Sequence, residues 1–167
     1  MNKTVIAMLL LAATPAWAQS LDTIVTVSSG SGLSIGTGDG DVVRARSPIF
    51  LEFDVGLIFD DDYQMEWTPS LILELDGRVS VGINPSLKRV LSLSPRWAIY
   101  GGVGLPFFFA PFTLIGAEAA VGGFFNITPR FAAVVELRTD VFFAGSDLPD
   151  GGVLAKLDLA VGIRFDL

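Results

Sequence analysis

The sequence predicts an all-β protein, an antiparallel up-and-down transmembrane β-barrel of about eight strands. Three observations carry that expectation. Apolar and polar residues alternate over most of the chain from Ile49 onward, short links rich in Asp, Gly and Pro join the alternating stretches, and the polar face mixes charges with many small residues.

The first residues stand apart from this pattern. Lys3 gives a short positive start, Val5 to Ala13 is almost wholly apolar, and Ala16-Trp17-Ala18 is a small-x-small cleavage site. Residues 1–18 are therefore expected to be an export signal cut after Ala18, with 19–167 forming one barrel domain. The apolar run is short for a retained anchor.

Composition narrows the function classes. The chain has 11 Lys and Arg against 18 Asp and Glu, a net charge of −7, and no basic tract. Nucleic acid is not an expected partner. Without cysteine there is neither a disulfide framework nor a lipid-bearing thiol. Apolar residues make up 51% of the chain, yet the charges are scattered at short intervals. A soluble domain would carry more charge, and a helical membrane protein would show uninterrupted spans.

Each strand is legible as a period of two, because successive side chains of a strand point to opposite faces. At the C-terminus Ala155, Leu157, Leu159, Val161, Ile163, Phe165 and Leu167 alternate with Lys156, Asp158, Ala160, Gly162, Arg164 and Asp166. Before it, Phe131, Ala133, Val135, Leu137, Val141 and Phe143 oppose Arg130, Glu136, Arg138 and Asp140. Thr113 to Phe125 sets Glu118 and Gly122 against Ile115 and Val121, and Trp97 to Phe109 sets Gly102 and Gly104 against Ile99 and Val103. Val79 to Leu93 carries Lys88 among alternating apolar residues, with Arg89 on the apolar parity. Met65 to Leu75 opposes Glu66 and Glu74, and Ile49 to Phe59 opposes Glu52 and Asp54. Single-chain barrels have even strand numbers, so a further strand is expected within Leu21 to Ile35, despite its Ser-Ser-Gly-Ser-Gly interruption.

The breaks carry turn chemistry: Asp60 to Asp62, Asp76-Gly77, Ser94-Pro95, Ala110-Pro111, Asn126 to Pro129 and Gly145 to Gly152. Links this short join antiparallel neighbours, since a parallel crossover needs a dozen residues or more. Pro69 and Pro85 sit inside strand patterns although they cannot donate to a ladder. Trp97 to Ala117 lacks charge long enough for a spanning helix, but Gly101, Gly102, Gly104, Pro106 and Pro111 argue against one.

Alternation alone does not say which face points inward. Gly102, Gly104, Gly116, Ala120, Gly122, Ala132, Ala160 and Gly162 on the polar parity suit a narrow lumen shared with long charged side chains. Aromatics fall near strand ends: Phe59, Tyr63, Trp97, Phe125, Phe131 and Phe165 toward the end bearing the C-terminus, and Phe107, Phe109, Phe112 and Phe143 toward the other. Two such belts flanking an aliphatic band are the interfacial girdles of a bilayer-spanning barrel. The inward set is then Glu52, Asp54, Glu66, Glu74, Lys88, Glu118, Glu136, Arg138, Asp140, Lys156, Asp158 and Arg164. Its mixed signs predict mutual pairing, as a polar plug or as the lining of a narrow pore.

The chain resembles the small, eight-strand class of bacterial outer-membrane β-barrels over nearly all of residues 19–167, in architecture rather than in a motif. Its C-terminal run Leu159, Val161, Ile163, Phe165, Leu167 is similar to the signal read by the barrel assembly machinery, although that signal usually ends in Phe. The resemblance implies outer-membrane lipid and that machinery as partners. Enzymes of this class generally use histidine, which this chain lacks together with cysteine. No catalysis is expected. No cofactor is expected either. Asp39 and Asp41 among Gly36, Gly38 and Gly40 lack the full spacing of a calcium loop and read as a turn. The expected role is structural or interactive, with short outer loops at Gly36 to Asp41, Asp76 to Arg78, Ala110 to Pro111 and Gly145 to Gly152. A porin-like channel and a soluble barrel holding an apolar ligand are the alternatives.

Overall fold

The computed structural model describes residues 22–38, 41–60, 64–76, 78–149 and 151–167. The expected signal segment, Tyr63, Asp39, Asp61 and Asp62 lie outside them. Ten strands follow in order: β1 (Thr23–Gly38), β2 (Asp41–Arg46), β3 (Phe50–Asp60), β4 (Met65–Glu74), β5 (Ser80–Ser92), β6 (Trp97–Gly104), β7 (Phe107–Ala110), β8 (Leu114–Thr128), β9 (Phe131–Gly145) and β10 (Val153–Asp166).

These strands make eight staves. β1 pairs β3 over Thr23–Gly30 and β2 over Leu33–Gly38, so β2 and β3 are halves of one stave broken at Ser47-Pro48-Ile49. β6 and β7 both pair β5 and are halves of another, broken at Leu105-Pro106. The sheet runs β10-β9-β8-β6-β5-β4-β3-β1 and closes because β1 pairs β10 from Ile24↔Asp166 to Thr37↔Val153. Every pairing is antiparallel, and closure satisfies backbone groups that lipid could not. Among the described residues no helix is long and apolar enough to span a membrane.

Several boundaries differ from the sequence reading. The Ser-Gly stretch does not interrupt β1, which stays in register with both neighbours through Gly30. Gly30 sits there because a Cβ would strike the Phe50 ring, 2.7 Å away, and the β10 backbone. Gly36 belongs to β1 rather than to a loop, and β2 is a segment the alternation did not mark. β8 runs on through Asn126 to Thr128, taking up a register shift beside the turn.

The strand prolines gather where the ladder is already broken. Pro69 lies directly opposite Pro85. Around Pro69 the β3–β4 ladder keeps its register but skips from Asp54↔Ser70 to Leu57↔Trp67, and beside Pro85 lies the β6–β7 break at Pro106, where Leu105 N donates to Pro85 O at 3.2 Å. The missing donors of Pro69, Pro85 and Pro106 are thereby confined to one place on the wall. Arg89 faces outward, in register with Met65 and Gly101, close to the end of β5.

Both chain ends reach one rim, the inner rim, with the links after β3, β5 and β8. The links after β1, β4, β7 and β9 form the outer rim. Across the wall the solvent-style arrangement is inverted, with Leu137 44% exposed beside Arg138 at 4%. A soluble barrel with an apolar pocket requires the opposite, and that alternative is overturned.

Candidate functional site in the barrel interior

The inward parity carries four tiers of charge that cross the lumen. Nearest the outer rim, Lys156 of β10 bonds Glu74 of β4, which also accepts from Ser80 Oγ at 2.6 Å. Next, the Arg138 guanidinium of β9 donates to Glu52 of β3 at 2.5 Å and lies 3.8 Å from Glu118 of β8. Its Nε is 3.8 Å from Asp140. Below, Lys88 of β5 reaches Glu136 of β9 at 3.2 Å and Asp54 of β3 at 3.8 Å, while Tyr100 Oη donates to Glu136 at 2.6 Å. Nearest the inner rim, Arg164 of β10 forks onto both oxygens of Glu66 of β4 at 2.9 and 3.1 Å.

Each of these cations also lies over an aromatic ring. Arg138 sits 3.9 Å from the Phe50 centroid and Arg164 4.4 Å from that of Phe124, while Lys88 faces Tyr100 and Lys156 faces both Phe108 and Phe142. A ring quadrupole attracts a desolvated cation strongly, so the aromatic faces offset part of the cost of burial.

Seven buried carboxylates, Glu52, Asp54, Glu66, Glu74, Glu118, Glu136 and Asp140, share these four cations, and Asp158 is an eighth buried acid beside them. Neutral donors take up part of the difference: Ser70 to Glu52 at 2.5 Å, Asn84 to Glu118 at 2.8 Å, and Ser47 to Asp158. One oxygen each of Asp54 and Asp140 has no protein donor. Beside Asp54, a cavity of about 10 Å³ lined by Thr26, Thr68, Lys88 and Glu136 has room for about one water.

The structure thus brings all twelve residues of the predicted inward set into the lumen. The lumen is not polar throughout, however. Toward the outer rim Phe50, Ile72, Phe108, Leu114 and Phe142 form an apolar cluster, against which Phe112, Leu148 and Leu154 pack. Toward the inner rim Val90, Ala98, Tyr100, Phe124, Ala132 and Val134 form another. Phe112, expected among the outer belt, is part of this filling and carries Arg78 over its ring. The sequence signal for the inward rings was available: in Phe107-Phe108-Phe109, Phe124-Phe125 and Phe142-Phe143, adjacent rings must face opposite sides.

Of the predicted girdle residues, Phe59, Trp97, Phe109, Phe125, Phe143 and Phe165 are exposed on the outer wall, and Phe107 and Phe131 are half-buried. Near the inner rim they pair across strands, Trp97 with Phe125 at 4.8 Å and Phe131 with Phe165 at 5.1 Å.

Solved structures share this architecture. Neisserial surface protein A superposes with a TM-score of 0.64 at 11% identity, covering 87% of this chain and 97% of its own. The N-terminal barrel domain of OprF from Pseudomonas aeruginosa gives 0.53 at 15% identity, covering 85% and 97%. A de novo designed transmembrane barrel gives 0.60 at 13%, covering 89% and 98%. The fold is that of the small outer-membrane β-barrels. No protein-family model matches the sequence, and no curated protein does.

Proposed function

We propose that the protein is a closed, non-conducting barrel of the bacterial outer membrane with a structural or interaction role. The observation that carries this reading is the filled lumen: four tiers of cross-lumen ion pairs interleave with two apolar clusters. An ion entering would have to break buried pairs and displace close-packed phenylalanines, and neither step is offset by hydration in so narrow a bore.

A catalytic role is not part of the proposal, because the chain carries neither histidine nor cysteine to supply the usual bases and nucleophiles. The outward aromatics of both rims are assigned to the bilayer interfaces, and β10 to recognition by the assembly machinery. Residues 1–18 are assigned to export.

Conductance of the protein refolded into a planar bilayer tests the reading, with folding scored by heat-dependent gel mobility. A folded and silent barrel is the expected result. Current steps that change with Glu136→Gln or Arg138→Gln would replace it with the porin-like channel.

A further inference from the structure

Arg44, Arg46 and Arg89 stand on the outward parity of the wall, whereas the buried carboxylates of β3, β4, β8, β9 and β10 lie on the inward one. Arg89 lies near the inner rim. Arg44 and Arg46 are neighbours on one face of β2, and this chain's net charge of −7 makes a cationic pair there a departure from its average surface.

Their orientation follows from the register. Arg46 lies opposite Leu33 and Arg44 opposite Ile35, and directly opposed residues of an antiparallel pair share a face. Leu33 and Ile35 are exposed members of the apolar wall, so the two guanidinium stems lie against that wall. Arg46 Nε donates to Ser31 Oγ at 3.2 Å, a hydroxyl on the same outward parity of β1. Neither arginine has an ion-pair partner among the described residues.

Their height follows from strand geometry. Val25 of β1 is paired with Phe165, a ring near the inner rim. Between Val25 and Leu33, strands rising ~3.4 Å per residue at a tilt of ~40° climb roughly 20 Å, and to Ile35 roughly 25 Å. The apolar band of such barrels is about 25 Å tall. Arg46 and Arg44 therefore stand at the outer interface, at the level of lipid headgroups, with apolar side chains below them.

We propose that Arg44 and Arg46 form a docking site on the outer wall for the phosphate groups of an anionic lipid of the external leaflet. Guanidinium forks match phosphate oxygens in pairs, and two arginines on alternate residues of one strand lie ~7 Å apart, within reach of one or two phosphates. The acyl chains would lie along Leu33, Leu157 and Leu159, which are exposed on the same side of the wall. This inference rests on outer-membrane placement and is independent of whether the lumen conducts.

The test uses the refolded protein in neutral detergent, titrated with diphosphoryl lipid A or with phosphatidylcholine, and lipid retention is counted by native mass spectrometry. Folding into bilayers, scored separately by gel mobility, reports on the membrane placement. The parent is expected to retain the diphosphoryl lipid at least about tenfold better than phosphatidylcholine. R44Q/R46Q should lose that preference while folding normally. R44K/R46K should keep part of it, since the charge stays and the fork goes. R78Q, whose arginine pairs with Asp147 in an outer link, should keep all of it. Equal retention by the parent and R44Q/R46Q overturns the proposal. So does complete competition by inorganic phosphate, which would mark a site for a free anion, or a lipid-independent dimer lost in R44Q/R46Q, which would mark an interface between copies.

Discussion

Arg164 reaches across the lumen from β10 to hold both carboxylate oxygens of Glu66 on β4, at 2.9 and 3.1 Å, while its guanidinium lies over the Phe124 ring. Three restraints thus fix one side chain: a fork, a ring face, and Asp166 at 3.3 Å. The pair joins staves that are not neighbours in the sheet, so it ties together parts of the wall that the backbone ladder links only indirectly.

Removing Glu66 leaves a cation facing a largely desolvated position. Breaking a buried pair this way costs about 3–5 kcal/mol. Asp166 remains as a partner, so Glu66→Ala is expected near the lower end, about 3 kcal/mol. Urea unfolding in lipid vesicles measures it. Arg164→Lys should cost less, since the charge survives while the fork is lost. A loss below about 0.5 kcal/mol for Glu66→Ala would mean that the pair behaves as a solvated surface contact.

Glycine and aromatic residues are paired across strands inside the lumen: Gly30 with Phe50, Gly82 with Phe108, Gly116 with Phe142 and Gly122 with Tyr100. In each case a Cβ on the glycine would collide with the ring opposite. The ring covers the bare backbone and the glycine makes room for the ring, a device that also pins register. Gly122→Val is expected to push Tyr100 off Glu136, costing about 1–3 kcal/mol through overpacking. Gly101→Val, on the outward wall where the nearest atom to a Cβ is 4.0 Å away, should fold nearly as well as the parent. Comparing the two urea midpoints checks the assignment.

Much of this was legible because the period of two is unambiguous where charges punctuate it. Glu136, Arg138 and Asp140 mark the inward face of β9, and Lys156, Asp158 and Arg164 that of β10, by parity alone. Legibility failed where the inward residue is itself apolar. Phe50, Phe108, Phe124 and Phe142 give no polar contrast, so the apolar clusters at the two ends of the lumen were hidden behind residues that look like wall. β1 was obscured for a related reason: its outward Ser29 and Ser31 satisfy themselves on the carbonyls of Phe50 and Ser47, both at 2.9 Å, contacts that alternation cannot reveal. The pairing of Arg138 with Glu52, on staves far apart in sequence, needed the closed barrel.

Adjacent residues on β9 separate the two sides of the wall. Leu137 points outward near mid-strand, in register with Leu159 and Val121, both exposed; Glu136 points inward, onto Lys88 and Tyr100. Leu137→Arg places a cation in the hydrocarbon band and should cost about 2–4 kcal/mol of folding stability in a bilayer. The penalty should shrink in detergent micelles, where water reaches the wall more readily. Glu136→Gln alters the lumen instead: the Tyr100 bond can persist, but Lys88 loses its nearer carboxylate, so its cost should be the same in bilayer and micelle. Paired urea titrations of both variants in the two environments measure the contrast. If Leu137→Arg matches the parent in bilayers, residue 137 does not face lipid and the inward set named above is reversed.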